Sequence, residues 1–204
     1  MSRDAETFVH VRPGEKIIPL GPPGAWDADY IIQTTPILFE DSIWLYYGGG
    51  HYFEVPAQEK ARYPLVDLKF QPGLATLRRD GFTSVGLAEG QTNGSLTTIP
   101  FREAQASGLP SLVVNAACDR DHRLTVELLD TATGQPVPGF SAADCDPLTS
   151  DAVRHVVTWR GQPGLPRLDG KRLRLRFHFH GDASMPRLHS FCSVGRAEKG
   201  CTQG

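Results

Sequence analysis

Between Leu173 and His180 the chain alternates without a break. Leu173, Leu175, Phe177 and Phe179 fall on one side, and Arg174, Arg176, His178 and His180 on the other. A period of two is the signature of a half-buried strand. The same rhythm, less strict, recurs from about residue 72 onward. Leu74–Arg78 and Phe82–Leu87 flank the turn residues Asp80-Gly81. Ser95–Phe101 follows, and Ser111–Ala117 and Arg123–Leu129 flank Asp119–His122. Val153–Trp159 and Arg187–Val194 complete the set. Eight short strands separated by turn signals predict an eight-stranded antiparallel β-sandwich over residues 70–194. Its expected core holds Leu74, Leu96, Leu112, Val114, Leu124 and Val126, together with Leu128, Val157, Trp159, Leu175, Phe177 and Phe179.

The first third of the chain has a different pattern. Residues 1–30 are rich in Pro and Gly and predict extended, loop-rich chain. Pro36–Phe39 and Ile43–Tyr47 are apolar runs on either side of Glu40-Asp41-Ser42, which is a hairpin pattern. Both faces of these runs are apolar, so both sides should be covered. Gly48-Gly49-Gly50 ends the second run, and residues 51–69 lose periodicity and predict a linker or loop. Residues 130–152 form the longest loop of the second part, and 195–204 a flexible tail. Asn93-Gly94-Ser95 is both a glycosylation sequon and an Asn-Gly turn signal; the turn reading needs no assumption about compartment.

Composition agrees with short strands. The 204 residues include 21 Gly and 16 Pro, a density of breakers that excludes long helices, since each costs about 1 and about 3 kcal/mol in a helix interior. The formal net charge of −2 argues against a nucleic-acid partner, which requires excess Lys and Arg, and against a polybasic membrane patch. No run of 18 apolar residues is present, and the first eleven residues lack the apolar stretch of a signal peptide. The four cysteines, at 118, 145, 192 and 201, contain no C-x-x-C pair. Spacing cannot choose disulfide partners; the plainer expectation is four reduced thiols, with Cys201 free in the tail.

The order of certain motifs adds a resemblance. Gly24–Asp27 (Gly-x-Trp-Asp) is followed by Ile43–Gly49, ending Tyr-Tyr-Gly-Gly, and by Gly73–Phe82 and Leu96–Phe101. Leu112–Asn115, Leu124–Asp130, Pro138–Asp146, Trp159–Gly161 and Leu173–Phe179 come next. Over residues 12–192 this resembles the C-terminal part of five-bladed β-propeller glycoside-hydrolase-like proteins, akin to families 32 and 43. The resemblance implies a hairpin remnant of the last propeller blade, followed by the sandwich. It also implies a carbohydrate ligand and no cofactor. Such enzymes draw their carboxylates from several earlier blades, whereas the residues before the linker supply two or three strands. The resemblance therefore implies an accessory portion that supports a catalytic propeller or binds glycan without hydrolysing alone. Two alternatives stay open: a glycoside hydrolase completed by missing blades, and a non-catalytic protein-interaction domain. Self-association through the exposed hairpin is a further expectation.

Asp27 is the first candidate residue. Trp26 could stack on a sugar ring while the Asp27 carboxylate binds a hydroxyl; the plainer reading is a turn residue. His51, just after three glycines, is the second, against the reading of a surface loop histidine. Asp29, Glu40, Asp41, Glu54 and Glu59 are the other carboxylates of this part, and Glu40-Asp41 read as solvated turn residues. His178 and His180, with His155 or His189, have zinc-ligand chemistry, but Arg174 and Arg176 share their face and oppose a cation. Asp144, Asp146 and Asp151 lack the spacing of a calcium loop and read as capping residues. No metal site is expected.

Overall fold

The computed structural model describes residues 6–7, 14–51, 69–102, 110–166 and 172–194. Among them the fold is all-β: every strand pairing is antiparallel, no helix is present, and no sheet closes into a barrel. The chain divides into two compact units, Met1–Phe82 and Thr83–Gly204.

The first unit is built on β3, Ser42–His51. One edge of β3 is paired along its whole length by β4, Lys69–Arg78. The other edge is shared by β1, Tyr30–Gln33, and β2, Ile37–Phe39. Pro36 explains why β1 and β2 are separate strands, since it has no N–H to donate. Thr34 bridges the gap by donating both its N–H and its hydroxyl to the Tyr46 carbonyl. Glu40 and Asp41 form the two-residue β2–β3 connection, with Glu40 at φ 51°.

This arrangement corrects the expected boundary. Leu74–Arg78, expected in the sandwich, completes the sheet of the first unit, so the sequence hairpin is part of a larger sheet. Leu74, expected in the core, is 44% exposed. Most of the expected linker, residues 52–68, lies outside the described residues, as does the tail.

The second unit contains β5 (Asn93–Thr97), β6 (Phe101–Arg102), β7 (Ser111–Ala117) and β8 (Arg123–Asp130). It continues with β9 (Ala152–Val156), β10 (Thr158–Trp159), β11 (Gln162–Pro163), β12 (Arg172–His180) and β13 (Arg187–Val194). In one sheet β12 is central, with β8 on one edge and β5 and β6 sharing the other. In a second sheet β7 lies between β13 and β9. β10 and β11 form a separate hairpin. Consecutive strands β7 and β8 thus belong to different sheets, as do β12 and β13.

Both sheets contribute to one buried cluster. Leu112 and Val114 of β7 and Leu188 of β13 join Val126 and Leu128 of β8 and Phe177 of β12. The inward positions of β12 (Leu173, Leu175, Phe177, Phe179) are all buried, as their alternation predicts. Burying one such side chain contributes about 1.5–3 kcal/mol. Trp159 fills the cluster and still satisfies its indole, which donates to the Val126 carbonyl at 3.0 Å.

Two further expectations are corrected. Asn93-Gly94-Ser95 is not a turn: it opens β5 and pairs with His180, Phe179 and His178, tertiary pairing overriding local turn propensity. The expectation of four reduced thiols fails at Cys192, which is disulfide-bonded, while Cys118 and Cys145 are buried and in no disulfide. Cys201 lies outside the described residues.

Candidate functional site

Trp26 and Asp27 are carried by the loop that leads into β1. Its first turn is set by Pro22-Pro23-Gly24-Ala25: the Ala25 N–H donates to the Pro22 carbonyl at 2.9 Å, and Gly24 has φ 85°. Proline followed by a left-handed glycine at the two central positions is the type II pattern. The turn delivers the next two residues onto β3. The Trp26 ring stacks on Tyr47 with centroids 5.6 Å apart and planes 15° from parallel. The Tyr47 hydroxyl donates to Asp27 Oδ2 at 3.3 Å. Gly49 makes the close approach feasible, because a Cβ there would lie 2.6 Å from both the Asp27 Cβ and the Trp26 ring. Burial, followed by the charge of Asp27, raises the Tyr47 pKa above its ordinary value.

The structure therefore brings two of the three sequence candidates together, and adds Tyr47. The Tyr-Tyr-Gly-Gly run was the available signal for it, but alternation alone does not say which tyrosine meets the loop. His51 closes β3 four residues beyond Tyr47, in register with Lys69. Trp26, Asp27 and Tyr47 are all half-buried. The cluster presents an aromatic surface beside an acceptor, which suits a polyol. It has one carboxylate, whereas glycoside hydrolysis uses two, roughly 5 Å apart for retention or about 6.5–9.5 Å for inversion.

Asp144 and Asp146 of the long loop have other employment. Asp144 accepts from Ser141 N and Oγ and takes Arg160 in a two-point contact through Nε at 2.8 Å and Nη2 at 2.5 Å. Ser141 first, then Arg160, lowers its pKa. Asp146 accepts from Thr158 Oγ1 and Gly161 N, and these two bonds lower its pKa. Both residues fasten the long loop to the β10–β11 hairpin. Glu54 and Glu59 lie outside the described residues. Of the histidines considered for zinc, His155 Nε2 meets the Ala116 carbonyl and His180 Nδ1 meets Asn93 Oδ1 at 2.8 Å. Among the described residues no group of three or more His, Cys, Asp or Glu is arranged to hold a metal ion.

A second cluster was not visible in the sequence. His122 Nδ1 is 2.8 Å from Asp119 Oδ1, and its Nε2 is 3.3 Å from Asp182 Oδ2. Asp119 also accepts the N–H groups of Asp121 and His122, while Asp182 accepts from Ser184 N and Oγ. The imidazole thus ties the β7–β8 connection to the β12–β13 connection, and each of these links the two sheets. Sixty residues separate His122 from Asp182, which is why local pattern gave no warning.

Comparison of the chain with protein-family models, curated proteins and solved structures found no match.

Proposed function

We propose that this chain is the accessory, glycan-associated portion of a glycosidase-like protein: a last-blade sheet followed by a β-sandwich, binding or supporting and not hydrolysing alone. The observation that carries this reading is the outer face of the first sheet. Pairing register puts Ile32, Ile37, Phe39, Tyr46, Phe70 and Leu74 on one face, and all six are 40–61% exposed. Trp44 lies among them, tilted against Phe39 and edge-on to Tyr46. A contiguous apolar surface of this kind marks an interaction site. Face-to-face packing against a neighbouring sheet is how a propeller blade buries such a surface. The opposite face buries Ile43 and Leu45 and carries the Trp26–Asp27–Tyr47 cluster, with Leu38 exposed on it at the β2 edge. In the second unit, the sheets centred on β12 and β7 share one core, which supports the sandwich.

The test uses the purified chain on a broad glycan array and on aryl glycosides. Glycan binding that weakens at least tenfold in Asp27→Asn, with no turnover of any aryl glycoside, is the expected result. Turnover abolished by Asp27→Asn would replace this reading with the enzyme. Silence on the array would leave protein interaction as the function of the apolar face.

A further inference from the structure

The outward face of β12 carries a second surface, built mainly from hydrogen-bonding side chains, with Leu129 of β8 buried opposite Arg174. Its central column is Arg176, His178 and His180. Register sets Thr97, Ser95 and Asn93 of β5 beside these three in turn. On the other side the same three positions face Glu127, Thr125 and Arg123 of β8. Three strands thus place three polar side chains each on one sheet face, the β5 column exposed and the β12 column half-buried. Arg172 and Arg174 continue the β12 column, both exposed. At about 3.3 Å per residue, the row from Arg172 to His180 runs about 26 Å.

The charges on this face do not balance. The single acid among these positions is Glu127, only 6% exposed, and its carboxylate already takes Arg176 Nη1 at 3.0 Å. His178 Nε2 is 3.1 Å from the same Oε1, but out of line for a hydrogen bond. Asp119 and Asp182, beyond the His180 end, are turned onto His122. Arg123, Arg172 and Arg174 are left exposed on a face with no second acid by register. The protein nonetheless has a net charge of −2, so this is a local basic strip and not a general property. At His180 burial first, then the charges of Arg123 and His178, hold the pKa below the ordinary value.

We propose that the β5–β12–β8 face binds an acidic polysaccharide, its carboxylate or sulfate groups on Arg123, Arg172 and Arg174 and its hydroxyls on the Ser, Thr and Asn side chains of β5. Charge complementarity selects an anion. The linear run of cations selects a chain over a single ion. Single-stranded nucleic acid would need aromatic surfaces for its bases, and both phenylalanines of β12 are turned into the core. The ligand class rests on the glycan-associated reading above; the site does not involve Asp27.

Affinity electrophoresis in gels containing polygalacturonate or dextran sulfate tests the proposal, with soluble starch and poly(U) as the comparison arms. Both acidic glycans should retard the chain at low salt, and raising the salt should abolish the effect. Arg123→Gln with Arg174→Gln should weaken retardation about tenfold, and His180→Gln by a smaller factor, whereas Asp27→Asn should leave it unchanged. No retardation by either acidic glycan, equal retardation of the arginine double variant, or stronger retardation by poly(U) would overturn it. Starch binding lost in Asp27→Asn, without acidic-glycan binding, would defeat this proposal and leave the Asp27 reading standing. Acidic-glycan retardation in a chain silent on neutral glycans would do the reverse.

Discussion

His122 shows what a single side chain does when two carboxylates meet it. An imidazole that faces an acceptor at each nitrogen holds both only as the doubly protonated cation. The bond it donates to Asp119 is the main cause that raises its pKa above the ordinary value. Backbone donation from His122 lowers Asp119, and the Ser184 hydroxyl holds Asp182 down at about 2. The signs fix the window. The histidine's contribution is complete below its ordinary pKa and is lost as pH rises through the elevated folded value. The carboxylates contribute above their ordinary range and lose that contribution as pH falls through their depressed values. The clamp is therefore strongest in mildly acidic solution. In an NMR titration, His122 should titrate above the ordinary histidine value, and Asp182→Asn should lower its midpoint; an ordinary midpoint in both proteins would refute the clamp. Gly49 makes the companion point at the other cluster. Gly49→Ala puts a methyl group into Trp26 and Asp27 and should destabilise the first unit by about 1–3 kcal/mol, measurable by denaturant unfolding. Of the candidate residues, Trp26 and Asp27 were legible because Trp-Asp after a Pro-Pro-Gly turn is an unusual local signal. Tyr47 and Asp182 were not, because their partners Asp27 and His122 lie 20 and 60 residues away.

At the scale of the element, β12 is where pattern and structure agree most closely. Its period of two sends four apolar side chains into the core and leaves the Arg and His positions outside. Phe177 is fully buried and touches Phe191 with ring centroids 5.1 Å apart. Phe177→Ala should cost about 3–5 kcal/mol in chemical denaturation, through lost burial and the cavity left behind. The β10–β11 hairpin rests on a different constraint. Trp159 pairs with Gln162 across Arg160 and Gly161, which have φ of 52° and 73°. Positive φ at both central positions is the type I′ geometry that a two-residue hairpin favours. Gly161→Val should therefore destabilise the second unit by more than Arg160→Gly, since a β-branched residue is strained at positive φ while Arg160 already occupies it; equal thermal midpoints would contradict this. Asn93-Gly94 shows the limit of local signals, for the dipeptide that favours a turn is held in a strand by pairing with β12.

At the scale of the molecule, the first unit leaves a whole sheet face of apolar side chains exposed, and the second leaves a basic strip. Exposed apolar area of that kind favours association. Light scattering after size exclusion should show concentration-dependent association of the wild-type chain, abolished by Phe39→Lys with Leu74→Lys; a monomer at every concentration would remove self-association from the reading. The sequence by itself determined the fold class and the inward set of most strands. Breakers at every few residues forbid long helices, and alternation fixes which side chains share a face. It did not determine which strand pairs with which. Lys69–Arg78 has strand character in either unit, and only pairing with β3 assigns it to the first. Nor could it show that β7 and β8 part to different sheets, or that the turn after each sheet meets the other through His122. Local physics sets the conformation of a segment and the sides it presents. Contacts between segments far apart in the chain decide which sides are covered, and the tertiary structure alone supplied those.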